Sequence, residues 1–120
     1  MTTQHSFTKF EKEVLPKFRR DMNLAESTED VKKFFSYAMQ ELLAQVFSGK
    51  YTPRYEDICL QAGQDAPFLL SEAVRQLDDY PSIWDNSDLE EIILRFANMA
   101  SHRYHHLAKK PEKTESKIRM

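Results

Sequence analysis

Glycine is nearly absent, with two in 120 residues. Strand-rich folds turn tightly and often, and glycine enters tight turns at the least steric cost. Its scarcity argues against a β-sandwich or barrel. Cysteine occurs once, at Cys59. No internal disulfide can form, which suits a reducing compartment. No apolar run approaches the roughly 20 residues that span a bilayer, so no membrane partner is expected. The first residues, Met-Thr-Thr-Gln-His-Ser, carry neither the basic nor the apolar region of a signal peptide. The expected location is the cytoplasm. Phosphate-binding loops, zinc-ligand spacings and nucleophile motifs are also missing. The chain therefore reads as non-enzymatic, with no cofactor.

What is present is helix punctuation. Ser27-Thr28-Glu29-Asp30 opens one long apolar-periodic run in the manner of a capping box, and Ser87-Asp88-Leu89-Glu90 opens another. Thr52-Pro53 reads as an N-cap followed by proline at the first helical position. Gly49 and Gly63 stand where helices should stop. The expectation is an all-α protein, a compact bundle of four to five helices with a disordered basic tail. Residues 1–108 form one domain in this reading, and residues 109–120 the tail.

The first helix is expected from Ser6 to Met22, with Phe7, Phe10, Val14, Phe18 and Met22 on one stripe and Pro16 kinking or splitting it. The second is expected from Thr28 to Ser48. Its core face holds Val31, Phe34, Phe35, Ala38, Met39, Leu42 and Val46. Leu43 and Phe47 widen the apolar arc beyond the roughly 100° that one neighbour covers. Such a helix is either central in its domain or shared with a partner. A third helix fits Pro53 to Ala62 and a fourth Pro67 to Asp79. Tyr80-Pro81-Ser82-Ile83-Trp84-Asp85 reads as a loop holding the single tryptophan. The last helix runs from Ser87 to Leu107, with Leu94 pointing away from its core face.

Charge is unevenly spread although the net value is -2. Residues 51–94 carry Arg54 and Arg75 against a large excess of acids, and residues 95–120 are basic. Such asymmetry steers association with charged partners or lets two copies meet head to tail. The segment 53–79 has helix-turn-helix spacing, but its second helix ends in Asp78-Asp79 and its surface would repel DNA. Plain helix-hairpin packing is the better reading.

His102 and His106 lie four apart and share a helix face, a metal pair without a third or fourth ligand; solvated histidines are the better reading. The acids around Trp84 lack the central glycine and terminal glutamate of a calcium loop. Cys59 has Glu56 and Asp57 nearby, which oppose thiolate formation, so it reads as filler. The favoured function is a small protein-interaction or regulatory module that also self-associates, most simply as a homodimer. Its contact candidates are Trp84, Tyr80, Asp78, Asp79, Asp85, Phe47, Leu43 and Leu94. The runner-up is a nucleic-acid-associated regulator using Arg19, Arg20, Lys109 and Lys110.

Overall fold

The computed structural model describes residues 6–47, 50–62 and 65–109. Within them lie five α-helices and one two-stranded antiparallel sheet: α1 Thr8–Leu24, α2 Thr28–Val46, β1 Ile58–Leu60, β2 Phe68–Leu70, α3 Glu72–Arg75, α4 Tyr80–Asp85 and α5 Leu89–Ala108. A single 3-10 turn, Tyr55–Asp57, leads into β1. The fold is thus mostly helical, as the punctuation implies. Gly49, Gly63 and residues 110–120, with the expected tail among them, lie outside the described residues.

α1 is one element despite Pro16. The proline removes one backbone donor from the helix interior. Its side chain is exposed, while Val14 and Phe18 on either side are buried against the core. Packing of that stripe outweighs the lost bond, so the helix is not split in two. α2 starts as its sequence dictates. The Ser27 hydroxyl accepts from the Asp30 N–H at 3.1 Å, and Asp30 Oδ2 accepts from the Glu26 N–H at 3.1 Å. Two amide donors at the helix entrance are satisfied by two short side chains.

α2 is the central element, packed on α1, α5 and β1. Its wide apolar arc is thereby explained without a partner. Leu43 and Phe47, expected on a partner-facing side, are 1% and 3% exposed and belong to the core. The physical reason is that three neighbours, rather than one, surround this helix. Phe18 of α1 meets Phe96 of α5 edge to face at 4.9 Å, both fully buried. Each such ring contributes about 1.5–3 kcal/mol by burial, upper values once the compact unfolded chain is allowed for.

The segment 53–79 departs most from expectation. Neither Pro53–Ala62 nor Pro67–Asp79 is a helix. β1 and β2 pair antiparallel in the register Ile58↔Leu70, Cys59↔Leu69 and Leu60↔Phe68. The reason is period. Ile58, Leu60 and Leu70 are buried while Leu69 between the inward residues of β2 is exposed, an alternation of two and not of three to four. The helix-turn-helix spacing was a hairpin. α2 receives it at a small residue: the buried Ser36 hydroxyl donates to the Ile58 carbonyl at 3.0 Å. Tyr80–Asp85, expected as a loop, is a short helix with Pro81 in its first turn, where a missing N–H costs nothing.

Candidate interaction surface

Asp57 organises the ground on which the surface stands. Its carboxylate is 1% exposed. It accepts from the Tyr51 hydroxyl at 2.5 Å, the Arg54 N–H at 2.7 Å and the Ser71 hydroxyl at 2.9 Å. Burial works against its charge, but these three bonds outweigh burial and hold the carboxyl below its ordinary value. Burial, and then the bond to Asp57, push the Tyr51 phenol up. The Ser71 hydroxyl also accepts from the Val74 N–H at 3.2 Å and caps α3. One buried anion thus fixes where the hairpin begins, where it ends and where α3 starts. Both carboxylate oxygens are engaged, so Asp57 serves as a structural anchor.

Beyond α3 the chain presents aromatic side chains. Trp84 stacks on Tyr80 with centroids 5.4 Å apart and meets Phe68 of β2 edge to face at 6.2 Å. All three rings are half-buried. Leu69, on the face of β2 opposite Phe68, is 52% exposed. The Trp84 indole N–H and the Tyr80 hydroxyl make no hydrogen bond among the described residues. An indole usually finds a partner for its N–H when it is buried; here the donor is left available. Burial raises the Tyr80 phenol above its ordinary value, Arg75 opposes this, and Glu90 and Asp85 add to it.

Asp78 and Asp79, just before Tyr80 in sequence, and Asp85, just after Trp84, are exposed. Asp79 pairs with Lys50 at 3.3 Å, both side chains being at least half exposed. Beside that pair lies a hollow of about 260 Å³ lined also by Phe7, Val46, Phe47, Ser82 and Ile83. A second, of about 170 Å³, lies toward Tyr51 and Leu77. The structure places Tyr80, Trp84 and Asp85 on α4, with Asp78 and Asp79 just before it and turned toward Lys50 and Phe47. It withdraws Leu43 and Phe47 into the core, and Leu94 on α5 is half-buried.

Phe68 and Lys50 were missed by sequence reasoning. A signal existed: two three-residue apolar runs, Ile58-Cys59-Leu60 and Phe68-Leu69-Leu70, flank a turn-rich stretch, which is a hairpin pattern.

His102 and His106 are exposed on α5. Among the described residues no group of three histidine, cysteine or acidic side chains is placed to hold a metal ion. Cys59 is partly exposed on the outer face of β1 and its thiol donates weakly to the Glu56 carbonyl. Arg19 and Arg20 are exposed on α1, and Lys109 is exposed just past α5. Arg103 donates to the Ala25 carbonyl at 3.0 Å, so the C-terminal ends of α1 and α5 lie together. Those basic residues share one end of the bundle; Lys110 lies outside the described residues. No described helix is long and apolar enough to cross a membrane. No protein-family model, no curated protein and no solved structure matches this chain.

Proposed function

We propose that this chain is a non-enzymatic interaction module whose Phe68–Tyr80–Trp84 surface takes a basic, apolar-anchored segment of a protein partner. The observation that carries the reading is a half-buried tryptophan, flanked in sequence by exposed acids, whose indole N–H has no partner among the described residues. Tryptophan and tyrosine are the residues most often responsible for binding energy at interfaces, and they act from partly desolvated positions. Carboxylates at the rim add on-rate and select the sign of the partner's charge. Asp78 and Asp85 make no ion pair among the described residues, so both are available to cations.

Trp84 is the single tryptophan, so its fluorescence reports this surface alone. Titration with a short alternating lysine–leucine peptide is expected to shift its emission, and added salt is expected to weaken the response. Capture from the native host's lysate, with wild type against Trp84→Ala, is expected to lose one stoichiometric protein in the variant. An emission unchanged by the peptide, with identical captures, would overturn the reading.

A second reading rests on the basic end formed by Arg19, Arg20, Arg103 and Lys109. These would meet phosphates rather than base edges, giving sequence-independent nucleic-acid binding that falls steeply with salt. A gel-shift assay with Arg19→Glu and Arg20→Glu tests it, and retained binding would exclude it.

A further inference from the structure

The hairpin ends in an edge, and the phase of its ladder is set by the bonds at either end. The Ser71 N–H donates to the Asp57 carbonyl at 2.8 Å, and the Gln61 N–H donates to the Pro67 carbonyl at 2.7 Å. Antiparallel ladders alternate bonded and non-bonded pairs. In the register Ile58↔Leu70, Cys59↔Leu69 and Leu60↔Phe68, the bonds of β2 to β1 therefore run through Leu69. The main-chain N–H and C=O groups of Phe68 and Leu70 point the other way. Among the described residues no segment bonds to them, and β1 is the one strand beside β2.

Proteins blunt such edges with lysine, proline, a bulge or an inward charge. β2 reads Phe-Leu-Leu and carries no charge. Its register is unbroken, so it holds no bulge. Pro67 precedes it, but Pro67 stands opposite Gln61 in a bonded pair, so the donor it lacks faces β1 and the outer edge keeps its own. Leu69, exposed at the middle of the strand, sits on the outer face. Only the shortness of the strand protects the edge, and shortness limits strength without changing the geometry. Leu43 and Phe47, the helix residues expected to meet a second copy, are closed in the core.

We propose that β2 pairs antiparallel with β2 of a second copy across a two-fold axis at Leu69, joining two hairpins into one four-stranded sheet. The edge is complementary to itself in that register. Phe68 of each copy exchanges two main-chain bonds with the partner's Leu70, and every outward donor and acceptor of the strand is used. A shift by one residue would offer groups that β1 already holds, and a shift by two leaves half of the strand unpaired. No charged side chain of β2 enters the contact, so two chains of equal charge meet there without like charges opposed. Leu69 faces its own counterpart in a non-bonded position, where Cα atoms lie about 4.5 Å apart and side chains come closest. Apolar thus meets apolar where the strand is most exposed. A three-residue ladder buries far less than the roughly 1,200 Å² of a stable interface, so the pair is transient and forms as concentration rises.

The test follows sedimentation and amide exchange of the full chain as its concentration rises. A monomer–dimer equilibrium is expected, with exchange slowed at the Phe68 and Leu70 amides in the dimer. Leu69→Lys sets like charges against each other at the axis and should abolish both, with an unchanged urea midpoint because Leu69 is exposed. Leu69→Glu alone should do the same. Mixing the two variants should restore a dimer, since position 69 meets only itself. In a Cys59→Ser background, Leu69→Cys should oxidise to a linked dimer, while Leu24→Cys, a control at 65% exposure, should link far less. Both edge amides protected in a monomer at every concentration would close the edge within the chain and overturn the proposal. A dimer that survives Leu69→Lys, with freely exchanging Phe68 and Leu70 amides, assigns self-association to another face and overturns it too. A chain that stays monomeric sinks the self-pairing; if its edge amides then slow on adding an extended valine–threonine peptide, the edge belongs to a strand of another protein.

Discussion

Asp88 stands at the head of α5, yet its carboxylate caps α1: Oδ1 accepts from the Phe7 N–H at 2.8 Å. Oδ2 accepts from the Ser6 hydroxyl at 2.9 Å. α1 has no side-chain cap of its own at Phe7, and α5 has none from Asp88. The acid that the sequence offers to one helix is used across space by another. Asp88→Ala is expected to cost about 1 kcal/mol, within the roughly 0.5–2 typical of a lost cap. Amide exchange should rise in the first turn of α1 and not in α5. Chemical denaturation with residue-resolved exchange checks both, and protection lost equally from the two helices would contradict the assignment.

The pH dependence of that cap follows from its charge. Burial works against ionisation of Asp88, but the bonds from Phe7, Ser6 and Thr8 outweigh it and lower the carboxyl below its ordinary value. A group depressed in the folded state contributes stability above its unfolded pKa, about 3.9 for aspartate, and loses that contribution as pH falls through the lower folded value. Asp57 is shifted in the same direction by its own three donors. Wild type should therefore be destabilised by acid below about pH 4. Asp88→Asn and Asp57→Asn should each flatten that dependence. Urea midpoints measured from pH 2 to pH 6 would show it; an unchanged slope in both variants would refute it.

How much of this was legible depended on period and on length. The long helices were legible because their stripes repeat over many turns: Val14, Phe18 and Met22 in α1, and Leu89, Ile92, Ile93 and Phe96 in α5 are all buried. The caps at Ser27 and around Ser87 placed their starts within a residue or two. The hairpin left only a weak signal, for the converse reason. Three-residue strands offer one alternation each, too few to distinguish from one helical turn. Pro53 and Pro67 then imitate helix starts. The aromatic surface was half legible. Trp84, Tyr80 and their acids are close in sequence, whereas Phe68 joins them through strand pairing announced only by its short apolar run.

Glu11 and Arg95 join α1 to α5 by two parallel bonds, Nε to Oε2 at 2.8 Å and a terminal guanidinium nitrogen to Oε1 at 2.9 Å. The two side chains differ in exposure, 50% for arginine and 11% for glutamate. The bonds to Glu11 raise the arginine's basicity above its already high ordinary value. Removing the exposed partner strands the buried one. Arg95→Ala should cost about 1–2 kcal/mol, the lower part of the range for charged bonds because solvent screens one side. Replacing both, as Glu11→Met with Arg95→Met, should recover most of that loss. A double-mutant cycle by urea denaturation gives the coupling, and a double variant as unstable as Arg95→Ala would argue against it.

Leu69 and Leu70 give the sharpest test of the hairpin. On the helix expected from 67 to 79 both would face inward, and truncating either would be costly. In β2 they point to opposite faces: Leu69 is 52% exposed opposite Cys59, and Leu70 is 7% exposed opposite Ile58. Leu70→Ala removes buried methyl groups and leaves a cavity, a cost of about 2–5 kcal/mol. Leu69→Ala removes groups that water already reaches, so its stability should remain within about 0.5 kcal/mol of wild type. The same Leu69 variant should leave the Trp84 fluorescence response to the cationic peptide unchanged, because Leu69 lies on the face of β2 opposite Phe68. Large losses of stability from both variants would restore the helix. A stable Leu69→Ala with weakened peptide binding would keep the strand but extend the surface to the outer face of the hairpin.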